Sequence, residues 1–353
     1  MYERISAFSS LLASYYRARE NKRYKDTILR FGFYLESNLF KLQQELINET
    51  YSASAYSCFT VHDPKERTVT APAFRDRVMQ HSLIAEIEPV FERFFIYDSY
   101  ACRREKGTHF ALMRFKKFLA SARSIHGPHV PLYCLRMDIS KYFASMSWDV
   151  LLPLVFKRIP CVRTHRLIEK IITQYQFFDH KKGVTFTPSD RVLSPKERRG
   201  LPIGNLTSQL FANIYLNELD HYVKDTLRIR WYGRYMDDFL ILHHDKHYLT
   251  QIKEDVRDFL AQHLKLSLSD KKVIISNVKN GVPFVGYRIF YDHVLVRGNT
   301  LRHMQRKLKQ RREEYKKGNL SSASLRSSTY SIHGHLKYAN SWGLKKTMFH
   351  KKI

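Results

Sequence analysis

The run Tyr235-Met236-Asp237-Asp238 lies inside residues 228–243, which read as strand, tight turn, strand. Two adjacent carboxylates repel each other at neutral pH, and a fold tolerates them at a buried turn only where a cation compensates. A second apolar run, residues 132–137, ends at Asp138, as a buried strand would that carries a carboxylate at its tip. If both strands belong to one sheet, Asp138, Asp237 and Asp238 converge on one point. Hard divalent cations suit such oxygen ligands: two Mg2+ ions first, with Mn2+ as a substitute. One ion would activate an attacking hydroxyl, and the other would hold a triphosphate and its leaving group. A solvated surface turn is the plainer reading of an Asp-Asp pair, and the flanking strands weigh against it.

Charge narrows the class of partner. The 353 residues include 60 Lys and Arg against 33 Asp and Glu, a formal net charge of +27. The common counterpart of such an excess is a phosphate backbone, bound with release of counterions. An anionic membrane is the rival, but no run approaches the ~18 apolar residues a span requires. Aromatic residues make up 14% of the chain, enough to support a packed core rather than a disordered polyelectrolyte. Cys58, Cys102, Cys134 and Cys161 show no C-x-x-C spacing, so neither a zinc site nor a disulfide framework is expected. His333 and His335 have no acidic or cysteine neighbour and read as surface or RNA-facing residues.

Periodicity supplies the rest of the outline. Residues 1–50 read as helical, residues 65–69 as a hairpin strand, and residues 75–91, 108–122, 147–158, 164–177 and 248–263 as helices. Residues 184–200 read as a loop. A long helix starts near Thr207 with Leu210, Phe211, Ile214, Tyr215, Leu219 and Val223 on one face. Strands are expected at 272–276 and 284–289. From Arg297 to Ile353 there are 15 Lys and Arg against 2 Glu. Asn299 or Thr300 would cap a helix running to Gly318, with a second element around His335 to Trp342.

These residues resemble a known family. Tyr235-Met236-Asp237-Asp238 looks like the catalytic box of reverse transcriptases, and Asp138-Ile139-Ser140-Lys141-Tyr142-Phe143 like their first catalytic segment. Leu201-Pro202-Ile203-Gly204 with Ser208-Gln209 resembles the segment between them. Leu266-Ser267-Leu268 with Lys272, and Phe284-Val285-Gly286-Tyr287, resemble the two that follow. The resemblance implies an α+β right-hand fold with fingers, a palm built on a small antiparallel sheet, and a helical thumb. The corresponding division is 1–130 for N-terminal helices and fingers, 131–290 for the palm with a fingers contribution around 150–200, and 291–353 for the basic thumb.

Most relatives carry Gln before the Gly of the middle segment and Pro after its Ser; this chain has Ile203 and Gln209. That departure is similar to the reverse transcriptases of diversity-generating retroelements. So are Asp76-Arg77-Val78, Ser99-Tyr100-Ala101-Cys102-Arg103, Lys106-Gly107-Thr108-His109 and Gly334-His335-Leu336-Lys337. The resemblance implies an RNA-directed DNA polymerase that copies a template-repeat RNA into cDNA with errors at adenines. It also implies an RNA template, a DNA or RNA primer, deoxynucleoside triphosphates, a small basic accessory variability protein, and a bacterial or phage-infected cytoplasm.

Individual roles follow from the same resemblance. The metal ligands would be Asp138, Ile139, Asp237 and Asp238. Phe143 would exclude a 2′-hydroxyl beneath the incoming sugar, or serve as an ordinary core ring. Ile203 and Gly204, with Gln209, would border the nucleotide. A Gln at 203 could hydrogen-bond there, whereas Ile203 only packs, relaxing discrimination; alternatively Ile203 belongs to the core of its turn. Lys65 and Arg67 would clamp the triphosphate or form a solvated basic strand. Lys272 would donate a proton to pyrophosphate or stand in solvent. Arg103, Arg306, Lys309 and Lys337 are phosphate contacts, and the tail with Tyr315, Tyr338 and Trp342 suits a thumb on a template–primer duplex. The rivals are a retron-like or group II intron-like reverse transcriptase and a catalytically silent nucleic-acid-binding protein. An intron enzyme is expected to carry more basic chain after the thumb.

Overall fold

The computed structural model describes residues 1–61, 67–173, 178–179, 184–185 and 198–349. Helices α1 (Tyr2–Ser6), α2 (Phe8–Ala18), α3 (Asp26–Phe33) and α4 (Leu35–Ile47) lead into strands β1 (Ser57–Val61) and β2 (Arg67–Ala71). Next come α5 (Phe74–Glu92), α6 (Thr108–His126), β3 (Tyr133–Asp138), α7 (Tyr142–Ser145), α8 (Trp148–Phe156) and α9 (Val162–Thr173). The short pair β4 (Phe178–Asp179) and β5 (Val184–Thr185) precedes α10 (Leu206–His221), β6 (Tyr232–Tyr235), β7 (Asp238–His243) and α11 (Lys246–Leu264). Strands β8 (Ile274–Asn277), β9 (Val282–Phe284), β10 (Tyr287–Ile289) and β11 (Val294–Val296) are followed by α12 (Gly298–Lys316), α13 (Ser322–Leu336) and α14 (Trp342–Phe349).

The class is α+β, as expected. Compactness divides the chain into two units, each assembled from separate segments. The first comprises Met1–Tyr97, Ile139–Thr226 and Val256–Leu268; the second comprises Asp98–Asp138, Leu227–Asp255 and Ser269–Ile353. The division into 1–130, 131–290 and 291–353 therefore does not coincide with the compact units, and it stands as a functional proposal.

In the first unit α10 packs against α5 and α8. Leu210, Phe211, Ile214, Tyr215 and Leu219 on its expected apolar face are all buried, as is Val223 in the π-helical turn that follows it. Each such Leu or Phe contributes roughly 1.5–3 kcal/mol of transfer free energy. Tyr142 donates to the Ala212 carbonyl at 2.6 Å, and Tyr215 to the Leu264 carbonyl at 2.6 Å, so these rings bury their hydroxyls with partners.

The second unit is built on a four-stranded antiparallel sheet in the order β6-β7-β3-β8. Phe239 to Leu242 on β7 are buried without a break, as befits a strand with neighbours on both sides. Helix α6 packs on β6 and β7. A separate three-stranded sheet, β11-β10-β9, shares one apolar cluster with α6 and the terminal helices through Phe115, Phe284, Tyr287, Leu308, Ile332 and Leu336.

Several boundaries differ from expectation. The expected strand 284–289 is split into β9 and β10 by a turn at Val285 and Gly286, both at positive φ (41° and 89°). Helix α12 starts before Asn299 and Thr300, because the Arg297 amide is tied to the Gly286 carbonyl (3.0 Å) as the chain leaves β11. Its end matches: Gly318 takes φ 76°, and Asn319 donates back to Glu314. The element expected at His335 to Trp342 is instead the break between α13 and α14. Helix α13 begins within a serine run capped by Ser321, whose hydroxyl accepts from the Ser324 amide. Residues 184–185 form β5 rather than loop; Lys65 and residues 174–177 lie outside the described residues. All four cysteines are free thiols. No helix among the described residues is long and apolar enough to cross a membrane.

Candidate active site

The hairpin β6–β7 turns through Met236 and Asp237, with Tyr235 opposite Asp238. A two-residue connection of this kind needs positive φ, and Met236 supplies it at 57° although it has a side chain. Arg234 holds the turn. Its side chain is fully buried, donating to the Met236 carbonyl (3.1 Å) and to Ser99 Oγ (3.1 Å). Its backbone accepts from the Tyr100 amide and donates to Asp98, so the segment from Asp98 to Tyr100 runs beside β6 as a parallel bridge.

Strand β3 lies on the other side of β7, with Asp138 directly opposite Asp238. Like charges in facing positions oppose strand pairing, so the pair requires positive charge nearby. Two cations provide it. Lys272 Nζ lies 2.5 Å from Asp138 Oδ1, and Arg136 Nη2 lies 3.8 Å from Asp238 Oδ1. Lys272 is placed by the Asp270–Lys272 turn: the Ser269 amide donates to the Asp138 carbonyl, and the Lys272 amide donates to Ser269. Burial pushes the Asp238 carboxyl up to about 6; Asp138 and Asp237 add to the rise, against the pull of Arg136 and Lys272.

The donor chemistry fits divalent cations. Asp138 and Asp237 lie close enough to raise the proton affinity of Asp238, and a divalent cation would lower it again. The expected convergence is nonetheless incomplete: among the described residues no group of three acidic, histidine or cysteine side chains is already placed to hold an ion. Lys272 occupies one oxygen of Asp138 instead. Ile139 follows Asp138 in sequence but belongs to the first compact unit, where it bridges Leu268.

The expected nucleotide-contacting residues belong to the first unit. Leu201 donates to the Phe143 carbonyl (2.8 Å), and Thr70 of β2 donates to the Ile203 carbonyl (2.8 Å), so the three segments form one backbone network. Phe143 is half-buried beside Tyr142, with ring centroids 5.6 Å apart. Ile203 is 39% exposed, which removes the alternative that it is a core residue. Gln209 is exposed. Gly204 takes φ 134°, and a Cβ there would fall 2.4 Å from the Thr70 carbonyl oxygen. The close approach that Gly204 permits is to the β2 backbone. The backbone of Arg67 pairs with Val61 in the hairpin.

Arg103 donates to the Ser99 carbonyl (2.9 Å) and so braces its own loop. Arg306, Lys309 and Lys337 are exposed on or after the terminal helices. His333 is exposed, but His335 is not: it stacks on Tyr287 at 4.3 Å, and burial holds its pKa below the usual imidazole value. Sequence reasoning missed Arg136 and Arg234. Each is an isolated charge in a buried strand close to an aspartate, and that oddity is the signal that marks them.

The chain matches the family "Reverse transcriptase (RNA-dependent DNA polymerase)" over residues 61–289, and it belongs to that family. Protein YkfC of Escherichia coli K12 is 30% identical over 257 residues, covering 64% of this chain and 63% of the relative. The group II intron-encoded protein LtrA of Lactococcus lactis subsp. cremoris is 22% identical over 319 residues, covering 72% of this chain and 50% of its own length. The chain therefore spans between half and two thirds of these relatives. Among solved structures, apo telomerase from Candida tropicalis aligns at 12% identity with a TM-score of 0.49, covering 88% of this chain and 63% of that one.

Proposed function

We propose that this protein is an RNA-directed DNA polymerase that copies a template-repeat RNA into cDNA with errors at adenines, as part of a diversity-generating retroelement. The observation that carries the polymerase reading is the facing pair Asp138 and Asp238, with Asp237 in the adjoining turn. These three carboxylates would hold the divalent ions. Bound there, Mg2+ or Mn2+ supplies activation of a primer 3′-hydroxyl and charge stabilisation of the departing pyrophosphate. Lys272, once released from Asp138, is the cation within reach of the phosphates. Arg136 and Arg234 position the hairpin rather than touch substrate. The substrates are a primed RNA template and deoxynucleoside triphosphates, with a small basic accessory protein as partner, in the cytoplasm of a bacterial or phage-infected cell. The fingers, palm and thumb division of the sequence reading belongs to the same proposal.

The subtype rests on Ile203 and Gln209. Both are exposed in the first unit, and Ile203 offers only an apolar surface where a Gln could hydrogen-bond. Losing one such restraint, ~1 kcal/mol, relaxes discrimination several-fold. The match to a group II intron-encoded protein over 72% of the chain favours an intron-type polymerase as the second reading. Sequencing the cDNA made on a defined RNA template separates the two. Errors concentrated at template adenines, and reduced several-fold in Ile203→Gln, support the retroelement reading; accurate synthesis by the unaltered protein selects the intron type.

A further inference from the structure

Helices α12, α13 and α14 of the second unit enclose a groove of about 780 Å³ that shares no residue with the carboxylate hairpin. Its walls carry two kinds of side chain. Tyr330 and Trp342 line it with aromatic rings and are 71% and 78% exposed. Arg326, Lys345 and Lys346 supply positive charge, and no acidic residue lines the groove. A fourth cation, Arg312, donates to the Met348 carbonyl at 2.8 Å and so ties α12 to α14. Lys346 sits 5.5 Å from the Trp342 ring centroid. Arg326 and Lys345 form no ion pair among the described residues.

Large exposed rings are costly in water unless they meet a partner. A duplex offers phosphates, but its base faces are stacked within the helix, and its breadth does not fit a cavity of this size. An acidic polypeptide would use the cations and leave the rings uncovered. An unstacked nucleotide satisfies both: its base presents a π-face, and its phosphates lie at each side. The volume falls within the range of small-ligand sites, roughly 300–1,000 Å³. We propose that this groove binds a single-stranded stretch of nucleic acid, one base stacking on Trp342 and Tyr330 with its phosphates on Arg326, Lys345 and Lys346. The proposal is independent of the polymerase reading, since it needs neither metal nor synthesis.

The chain has 3 tryptophans, and Trp148 and Trp231 are buried (0% and 6% exposed), so Trp342 alone reports on contact with solvent or base. The experiment titrates the whole protein, free of divalent metal, with a short oligouridylate and follows tryptophan emission. Quenching is expected. Trp342→Ala should bind roughly tenfold more weakly, the loss of one stacked base. Trp342→Phe should keep the affinity and lose the quench. Arg326→Ala with Lys345→Ala should reduce the salt slope by roughly 0.7 for each phosphate contact removed. Trp342 and Arg326 are exposed and Lys345 is half-buried, so the variants should keep the parent melting temperature; if Trp342→Ala alone unfolds, the Phe and Arg–Lys variants carry the test. Equal quenching by an abasic oligomer, by a blunt duplex or by polyglutamate would overturn the proposal. Binding without synthesis on a primed RNA would count against the polymerase and leave the groove standing; synthesis without quenching would do the reverse.

Discussion

The ammonium of Lys272 lies 2.5 Å from Oδ1 of Asp138, across a register that sets Asp138 opposite Asp238. A lysine and a divalent ion therefore compete for the same carboxylate oxygen. Lys272→Met should tighten binding of Mg2+ to the metal-free protein by roughly fivefold, the effect of one unit charge a few ångströms away in a partly solvated site. Calorimetric titration measures it. Unchanged or weaker binding would show that Lys272 is no competitor for the ion.

Arg234 serves a different end of the site. Replacing it by Met leaves the part-buried Met236 carbonyl and the buried Ser99 hydroxyl without this donor. The expected cost is about 1–3 kcal/mol in urea unfolding. Because the turn that carries Asp237 loses its brace, kcat should fall while KM for the nucleotide holds. A variant with the parent kcat would exclude a positioning role.

The two arginines also mark the limit of what could be read from the chain. The hairpin around Asp237 and Asp238 and the strand ending at Asp138 were legible because apolar runs flank unusual carboxylates. So was the apolar face of α10. The burial of Arg234 was not legible, since a basic residue near a strand end reads as solvated until Ser99 and Met236 are known to lie beside it. The same holds for His335, whose burial depends on Tyr287, distant in sequence. The contact of Gly204 with Thr70 depends on a hairpin far upstream. The serine run that opens α13 gave no helix signal of its own, because serine favours caps and turns over helix interiors.

A pH dependence follows from Asp238. Its folded carboxyl is raised from 3.8 to about 6 by burial and by its acidic neighbours. In metal-free protein the folded state then binds the extra proton between those values. That contribution is fully present below about pH 3.8 and lost as pH rises through 6. Urea melts across this window should show the slope in the parent protein and a flatter one in Asp238→Asn. A parent slope no steeper than that of the variant would refute the assignment.

Gly204→Ala should destabilise the first unit by at least about 1 kcal/mol, since φ 134° and the Thr70 carbonyl both oppose a Cβ. Ile203→Gln, at an exposed neighbouring position, should stay within about 0.5 kcal/mol of the parent. Equal melts for the two variants would show that the turn does not need its glycine.

The central claim is that the carboxylates at 138, 237 and 238 form a metal-dependent polymerising centre. The most direct measurement is incorporation of deoxynucleotides on a primed RNA template, with and without Mg2+, for the parent protein and for Asp237→Ala combined with Asp238→Ala. Activity that requires both the metal and the aspartates is the predicted result. Incorporation that survives in the variant, or none from the parent with its native RNA and a candidate accessory protein supplied, would contradict it.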